Sequence, residues 1–300
     1  MIPIAFEYQR AASIDEAIQL LREANGSGRL LAGGHSLIPL MKLRLSEPSL
    51  LIDIARIPGL RGIEETSDHI AIGATTTHTE VERSALLRER LPILAEAAAE
   101  IGDVQVRNRG TIGGSLAHAD PSADLPAVMV ALDAELVIAG SGGQRTVRAG
   151  EFFQDLFTVD LAEDEIITMI HATPVQTAAY VKLHQRASHY AIVGVAAVLE
   201  VENGVCTSAR LGITGLSTHA QRLPEVEEAL AGKPLTADTI TAAAAIAGDG
   251  IDDINADIHA SADYRRAMAK AFTERAITAA AVPRSQPRSP LNRGPWKVEA

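Results

Sequence analysis

Two short stretches of the 300-residue chain place backbone-permissive residues beside hydroxyls: Ala32-Gly33-Gly34-His35-Ser36-Leu37 and Thr111-Ile112-Gly113-Gly114-Ser115. Glycine lets the backbone take φ > 0 and lets another group approach without interference from a Cβ. Successive N–H groups in such a turn form an anion-binding concavity, and a helix N-terminus behind them adds the positive end of a dipole. LIPLMKL can open a short helix with Ser36 as its cap. Backbone amides and the hydroxyls of Ser36, Thr111 and Ser115 could together hold a pyrophosphate without any cation. Either glycine pair alone reads as a tight strand-to-loop turn. Two matching pairs read better as two walls of one dinucleotide site. The G-x-G-x-x-G and phosphate-loop patterns are absent, so that site is not of the Rossmann type.

Other chemically able residues are sparser. His78-Thr-Glu80 and His118-Ala-Asp120 offer ligand types, but no spacing implies a third ligand, and both read as polar loop residues. GGSLA lacks the final glycine of a nucleophile elbow, and no acid–His order completes a triad. Lys42 and Arg44 read as a solvated helix face, and Arg107 and Arg109 as residues that fix the second loop. Asp124 directly precedes Leu125-Pro126 and by itself reads as a helix N-cap. Tyr190, at the head of YAIVGVAAVL, by itself reads as a core tyrosine starting a strand.

Periodicity supplies the elements that must position these residues. Ser13 and Glu16 have capping-box spacing at the head of an amphipathic helix over 13–26, stopped by Asn25-Gly26. RLLAGG reads as a short buried strand ending at the first glycine pair. Residues 50–57, 69–74 and 134–140 read as strands, and 91–102 and 125–133 as helices. Around 172–178 the pattern changes. YVKLHQR and AIVGVAAVLEVE precede Asn203-Gly204 and VCTSARLGITG, a strong hairpin signal. Helical stretches follow over 224–231, 236–247 and 261–281. Strands followed by helices predict a separate α+β unit. The expected layout is one domain over 1–175, a second over 176–282, and a flexible Pro- and Arg-rich tail over 283–300 that holds the only Trp.

Composition narrows the partners. Aromatics are 3% of the chain and the formal net charge is −11, which argues against nucleic acid. The single Cys206 excludes an intrachain disulfide and a four-cysteine cluster. No signal-peptide pattern opens the chain, and the longest apolar run, 190–199, is about half a membrane span. These features predict a soluble cytoplasmic protein with no transmembrane segment.

AGGHSLIPLMKLRL, IGATTTHTEVERS, IGDVQVRNRGTIGGSLAHADPSADLPAVMVALDAELV and YVKLHQRASHYAIVGVAAVLE together resemble the medium, FAD-binding subunit of molybdenum hydroxylases, in its carbon monoxide dehydrogenase-like branch. The resemblance runs through all but the tail. It implies an α+β fold, with a two-lobed FAD-binding domain of the PCMH type followed by a small C-terminal domain of antiparallel strands plus helices. Carried over by motif, Ala32, Gly33, Gly34, His35, Ser36 and Leu37 would line the FAD pyrophosphate with Thr111, Ile112, Gly113, Gly114 and Ser115. Asp124 would accept from cofactor hydroxyls, the backbone of Ile167 would meet the flavin side, and Tyr190 would stack near the isoalloxazine ring. Many relatives carry Gly-Asp where this chain has Ser188-His189, which removes any tuning of the flavin by that acid.

The resemblance implies no catalytic residue and no metal ligand in this chain. FAD would be its cofactor, with molybdopterin in a large partner subunit and [2Fe-2S] clusters in a small one. The assembly would be a dimer of heterotrimers, cytoplasmic or peripheral at the inner membrane. Electrons would reach the flavin singly and leave as a pair to an external acceptor. Two rival readings remain at this level: a self-contained oxidase with covalent FAD, because Gly-Gly-His resembles an attachment loop, and a non-enzymatic flavin-binding module.

Overall fold

In the computed structural model, which describes residues 2–282, Ser13 caps the helix Ile14–Ala24 by accepting from the Glu16 N–H at 3.1 Å. The Glu16 carboxylate reaches one residue beyond the box pattern and accepts from the Ala12 N–H at 2.6 Å. Asn25, in the left-handed region, ends the helix as expected. This helix packs on a parallel sheet in which Leu50–Asp53 lies between Glu7–Arg10 and Gly28–Leu31. The strand expected over 50–57 stops at Asp53, whose carboxylate turns the chain by accepting from the Ala55 N–H at 2.9 Å. The tail expected over 283–300 lies outside the described residues.

The second lobe is a five-stranded antiparallel sheet, ordered Ile63–Glu65, Ile70–Gly73, Ile166–Ala172, Glu135–Gly140, Gly143–Arg148. The helices Pro92–Ala99 and Asp124–Leu132 belong to its core. Every residue of Asp124–Leu132 is buried, so an apolar stripe has no meaning there: a helix apolar on all sides is covered on all sides.

The third sheet runs Ala178–His184, Ala191–Glu202, Val205–Thr214, Gln221–Arg222, all antiparallel, with Lys233–Pro234 also pairing to Val205–Thr214. Asn203 and Gly204 both have positive φ, 51° and 79°, as a two-residue hairpin turn requires. Along Ala191–Glu202 the faces alternate. Ala196 and Val198 join the core of the second lobe, whereas Val195, Ala197 and Leu199 join the core under the helix Ala262–Ala281. Burial on both faces explains the unbroken apolar run. Gly212 permits the close approach of the helix Asp124–Leu132, since a Cβ there would lie 2.1 Å from the Ala127 carbonyl oxygen. The chain therefore has an α+β fold, with a parallel first lobe beside two antiparallel sheets.

Candidate cofactor site

A cavity of ≈950 Å³ opens among the three sheets, at the large end of small-molecule sites. Of the residues singled out by sequence, Ala32, Gly33, Gly34, His35, Ser36, Leu37, Thr111, Gly113, Gly114, Ser115, Asp124, Ile167 and Tyr190 line it. Ile112 does not. Its side chain is fully buried in the core, and its N–H donates to the Thr76 carbonyl at 3.0 Å.

The four glycines divide the work. A Cβ at Gly33 would sit 2.1 Å from the Arg109 carbonyl oxygen, and one at Gly113 would sit 2.6 Å from the Ala74 Cβ. These first glycines let the two loops pack on each other and on the end of the strand Ile70–Gly73. Gly34 has φ +75°, so its role is conformational. A Cβ at Gly114 would meet only the Thr111 hydroxyl, at 2.7 Å, and its outer side is open to the cavity. The second pair is not the strand-to-loop turn that either pair alone suggests: it lies within the first turn of the helix Ile112–His118. Thr111 caps that helix, accepting from the Gly114 N–H at 3.2 Å, so its oxygen is already engaged.

No hydrogen bond within the described residues uses the N–H groups of Gly33, Gly34, His35, Ser36 or Leu37. Ser36 precedes the helix Leu37–Lys42 but makes no side-chain cap bond, which leaves its hydroxyl unspent. Five successive unpaired N–H groups with a left-handed glycine among them form an anion nest. Residues of this kind fit a pyrophosphate, and the net negative chain needs no basic field to hold one.

Asp124 is not the N-cap. That position is Ala123, and the Asp124 side chain is buried. The Lys182 ammonium donates to Asp124 Oδ2 at 2.9 Å and to the backbone carbonyls of Glu100 at 2.8 Å and His189 at 2.7 Å, with Asp124 Oδ1 2.8 Å away in the same ion pair. Tyr180 donates its hydroxyl to the same carboxylate at 2.5 Å. Burial pushes the Asp124 carboxyl up, against the pull of Lys182 and Tyr180, and holds the Tyr180 hydroxyl well above its ordinary range. Sequence reasoning missed Tyr180 and Lys182. Their signal was two polar-tipped residues two apart on a strand, hence on one face.

Tyr190 is not a core residue. It is 43% exposed, on the turn just before Ala191–Glu202, and burial of its hydroxyl pushes the pKa to about 12. The turn is closed by Gln185, whose N–H donates to the Tyr190 carbonyl at 2.8 Å, and by Lys182 on the His189 carbonyl. His189, within this turn, has φ 61°.

His78 and Glu80 are not loop residues: they open the helix His78–Arg83, with a capping box between Thr77 and Glu80. His78 is buried against the cavity wall with Nδ1 unpartnered, and burial brings its pKa down to about 4, helped by Arg107 and His35. His118 ends the helix Ile112–His118, and Asp120 follows it on the cavity wall. Arg44 lies past the end of its helix, with φ 59°. Arg107 fixes its loop as expected, donating to Glu82 at 2.9 Å and to the Ile101 carbonyl at 3.0 Å.

Residues 4–172 match the family described as the FAD binding domain in molybdopterin dehydrogenase, and residues 178–280 match the CO dehydrogenase flavoprotein C-terminal domain. The chain is 41% identical to the carbon monoxide dehydrogenase medium chain of Hydrogenophaga pseudoflava, over 93% of its own length and 98% of that chain. It is 39% identical to subunit alpha of the 6-hydroxypseudooxynicotine dehydrogenase complex of Paenarthrobacter nicotinovorans, over 96% and 98%. Among solved structures, carbon monoxide dehydrogenase from Hydrogenophaga pseudoflava superposes with a TM-score of 0.90 at 42% identity, covering 93% of this chain and 98% of that one. Quinoline 2-oxidoreductase from Pseudomonas putida 86 gives 0.89 at 35% identity, covering 94% and 98%. The chain belongs to the family of FAD-binding medium subunits of molybdenum hydroxylases. Within it, the chain is of the carbon monoxide dehydrogenase-like type: an FAD-carrying oxidoreductase subunit, with molybdenum and iron–sulfur centres belonging to other subunits of such complexes. The relatives do not favour the self-contained oxidase. Among the described residues no helix is long and apolar enough to cross a membrane.

Proposed function

We propose that the cavity is the FAD site, with the pyrophosphate on the N–H groups of residues 33–37 and the open face of Gly114. The single observation that carries this is the run of unpaired N–H groups on a wall shared with the second glycine pair. Ser36 and Ser115 supply hydroxyls, and Asp124 accepts from the cofactor's hydroxyls with lone pairs left over from Lys182 and Tyr180. Ile167 and Tyr190 border the ring end and exclude water there. Bound FAD supplies redox chemistry that runs in steps of one or two electrons. The chain's residues bind it, orient it and shape its electrostatics, so no acid–base pair is required of them.

Two partners are proposed: a large molybdopterin-binding subunit and a small iron–sulfur subunit, assembled as a dimer of heterotrimers in the cytoplasm. Native purification should bring down one large and one small chain. Acid precipitation of the purified protein should leave yellow colour in the supernatant. Colour retained on the pellet would instead point to a covalent link, with His35 the first residue to examine. Failure to take up FAD on reconstitution would sink the site.

A further inference from the structure

Among the described residues, seven that are not glycine have positive φ; Phe157 and His189 of these line the cavity, and Arg44 and Ala119 sit between residues that do. Holding a bulky side chain in that region is strained and persists where the surroundings over-determine it. Phe157 has φ 51° and forms the tip of the hairpin Phe153–Asp155 with Thr158–Val159. The residue is 52% exposed. The hairpin is anchored at both ends. Phe152 and Phe153 are buried at its base with rings edge to face at 5.2 Å. At the tip, the Asp155 carboxylate accepts from the Leu156 N–H at 2.7 Å, and the Thr158 hydroxyl donates to the Leu156 carbonyl at 3.0 Å.

A half-exposed aromatic in an unfavourable backbone region has no packing rationale of its own, because glycine or a polar residue would suit that tip better. The chain uses few aromatics elsewhere. The Phe157 ring lies 5.2 Å from the His118 imidazole, tilted by 36°. Two residues beyond His118, the Asp120 carboxylate accepts from the Ser122 N–H at 2.9 Å, and the Ser122 carbonyl accepts from the Ala191 N–H at 3.1 Å, directly after Tyr190. Phe157 is thereby placed at the Tyr190 end of the cavity.

We propose that Phe157, backed by the His118 ring, is a second aromatic wall of the site and packs against the tricyclic ring of the bound flavin. This rests on the FAD reading above. The test uses the full-length chain, stripped of flavin and titrated with FAD. Phe157→Gly removes the ring and relieves the positive φ, so the apo melting temperature should hold or rise while the Kd for FAD rises about five- to tenfold. Phe157→Trp, made in a Tyr190→Phe background to silence the tyrosine, sets an electron-rich indole against the flavin. Bound-flavin fluorescence should then be lost relative to the Tyr190→Phe parent. An unchanged FAD affinity in Phe157→Gly, or undiminished fluorescence in the indole variant, would overturn the proposal. A change confined to the rate of dye reduction would also overturn it, by assigning Phe157 to the electron acceptor instead. If the unmutated chain binds no FAD at all, the cofactor reading itself falls.

Discussion

Glycines of one pair differ in what a side chain would meet, and substitution should separate them. Gly33→Ala drives a Cβ into the Arg109 carbonyl, an overpacking that should cost about 1–3 kcal/mol or more and show as a lowered urea midpoint. Gly114→Val meets only the Thr111 hydroxyl. It should leave the fold largely intact by circular dichroism and abolish FAD binding by titration, because the branched side chain fills the cradle. Wild-type FAD affinity in Gly114→Val would reduce the second pair to helix packing. His78 should govern part of the pH dependence. Its folded pKa of about 4 lies below the ordinary 6.5, so the unfolded chain takes up the proton first. The neutral form's contribution is complete above pH 6.5, falls as pH drops toward 4, and is then exhausted at about 3 kcal/mol. His118, His171 and His219 are depressed by burial in the same direction. The measurement is therefore a difference: His78→Phe should flatten the stability slope between pH 7 and 5 relative to the parent.

At the scale of elements, the strand Ala178–His184 holds the turn 185–190 to the helix Asp124–Leu132 through one ammonium. Lys182 is fully buried and all its contacts are satisfied. Lys182→Met would strand the Asp124 charge in a dry interface, so stability should fall by about 3–5 kcal/mol in denaturant unfolding. An unchanged midpoint would mean that water reaches the carboxylate. Tyr190 lies at the end of that turn and is half-exposed, so its removal should act on the cofactor rather than on the core. Tyr190→Ala should weaken FAD binding about tenfold and leave the apo melting temperature unchanged, whereas Tyr190→Phe should retain most affinity. A lowered apo melting temperature with intact affinity would return Tyr190 to a packing role.

For the whole molecule, the isolated chain should accept electrons from an artificial reductant and pass them to a dye, yet oxidise no primary substrate of a molybdenum hydroxylase. Among the described residues no three His, Cys, Asp or Glu side chains are grouped to hold a metal. Substrate turnover by metal-free, single-chain protein would overturn the division of labour among subunits.

Local patterns were enough for much of this. Ser13 and Asn25 mark the ends of the first helix, Asn203-Gly204 marks the hairpin, and the two glycine pairs mark the cavity walls, because caps, turns and close approaches depend on residues adjacent in the chain. What sequence could not supply was the partner across space. Asp124 looked like a cap because its neighbours Leu125-Pro126 suit a helix start. It became a buried acceptor only when residues 56 and 58 positions away arrived on another strand. Gly33 reads in the sequence as part of a cavity wall, and its close approach to the Arg109 carbonyl exists only in the fold. Phe157 carried no signal at all, since its exposure, its positive φ and its approach to His118 exist only after the hairpin folds over the cavity. Periodicity and turn chemistry act over a few residues, whereas desolvation and close packing depend on which surfaces tertiary structure presses together.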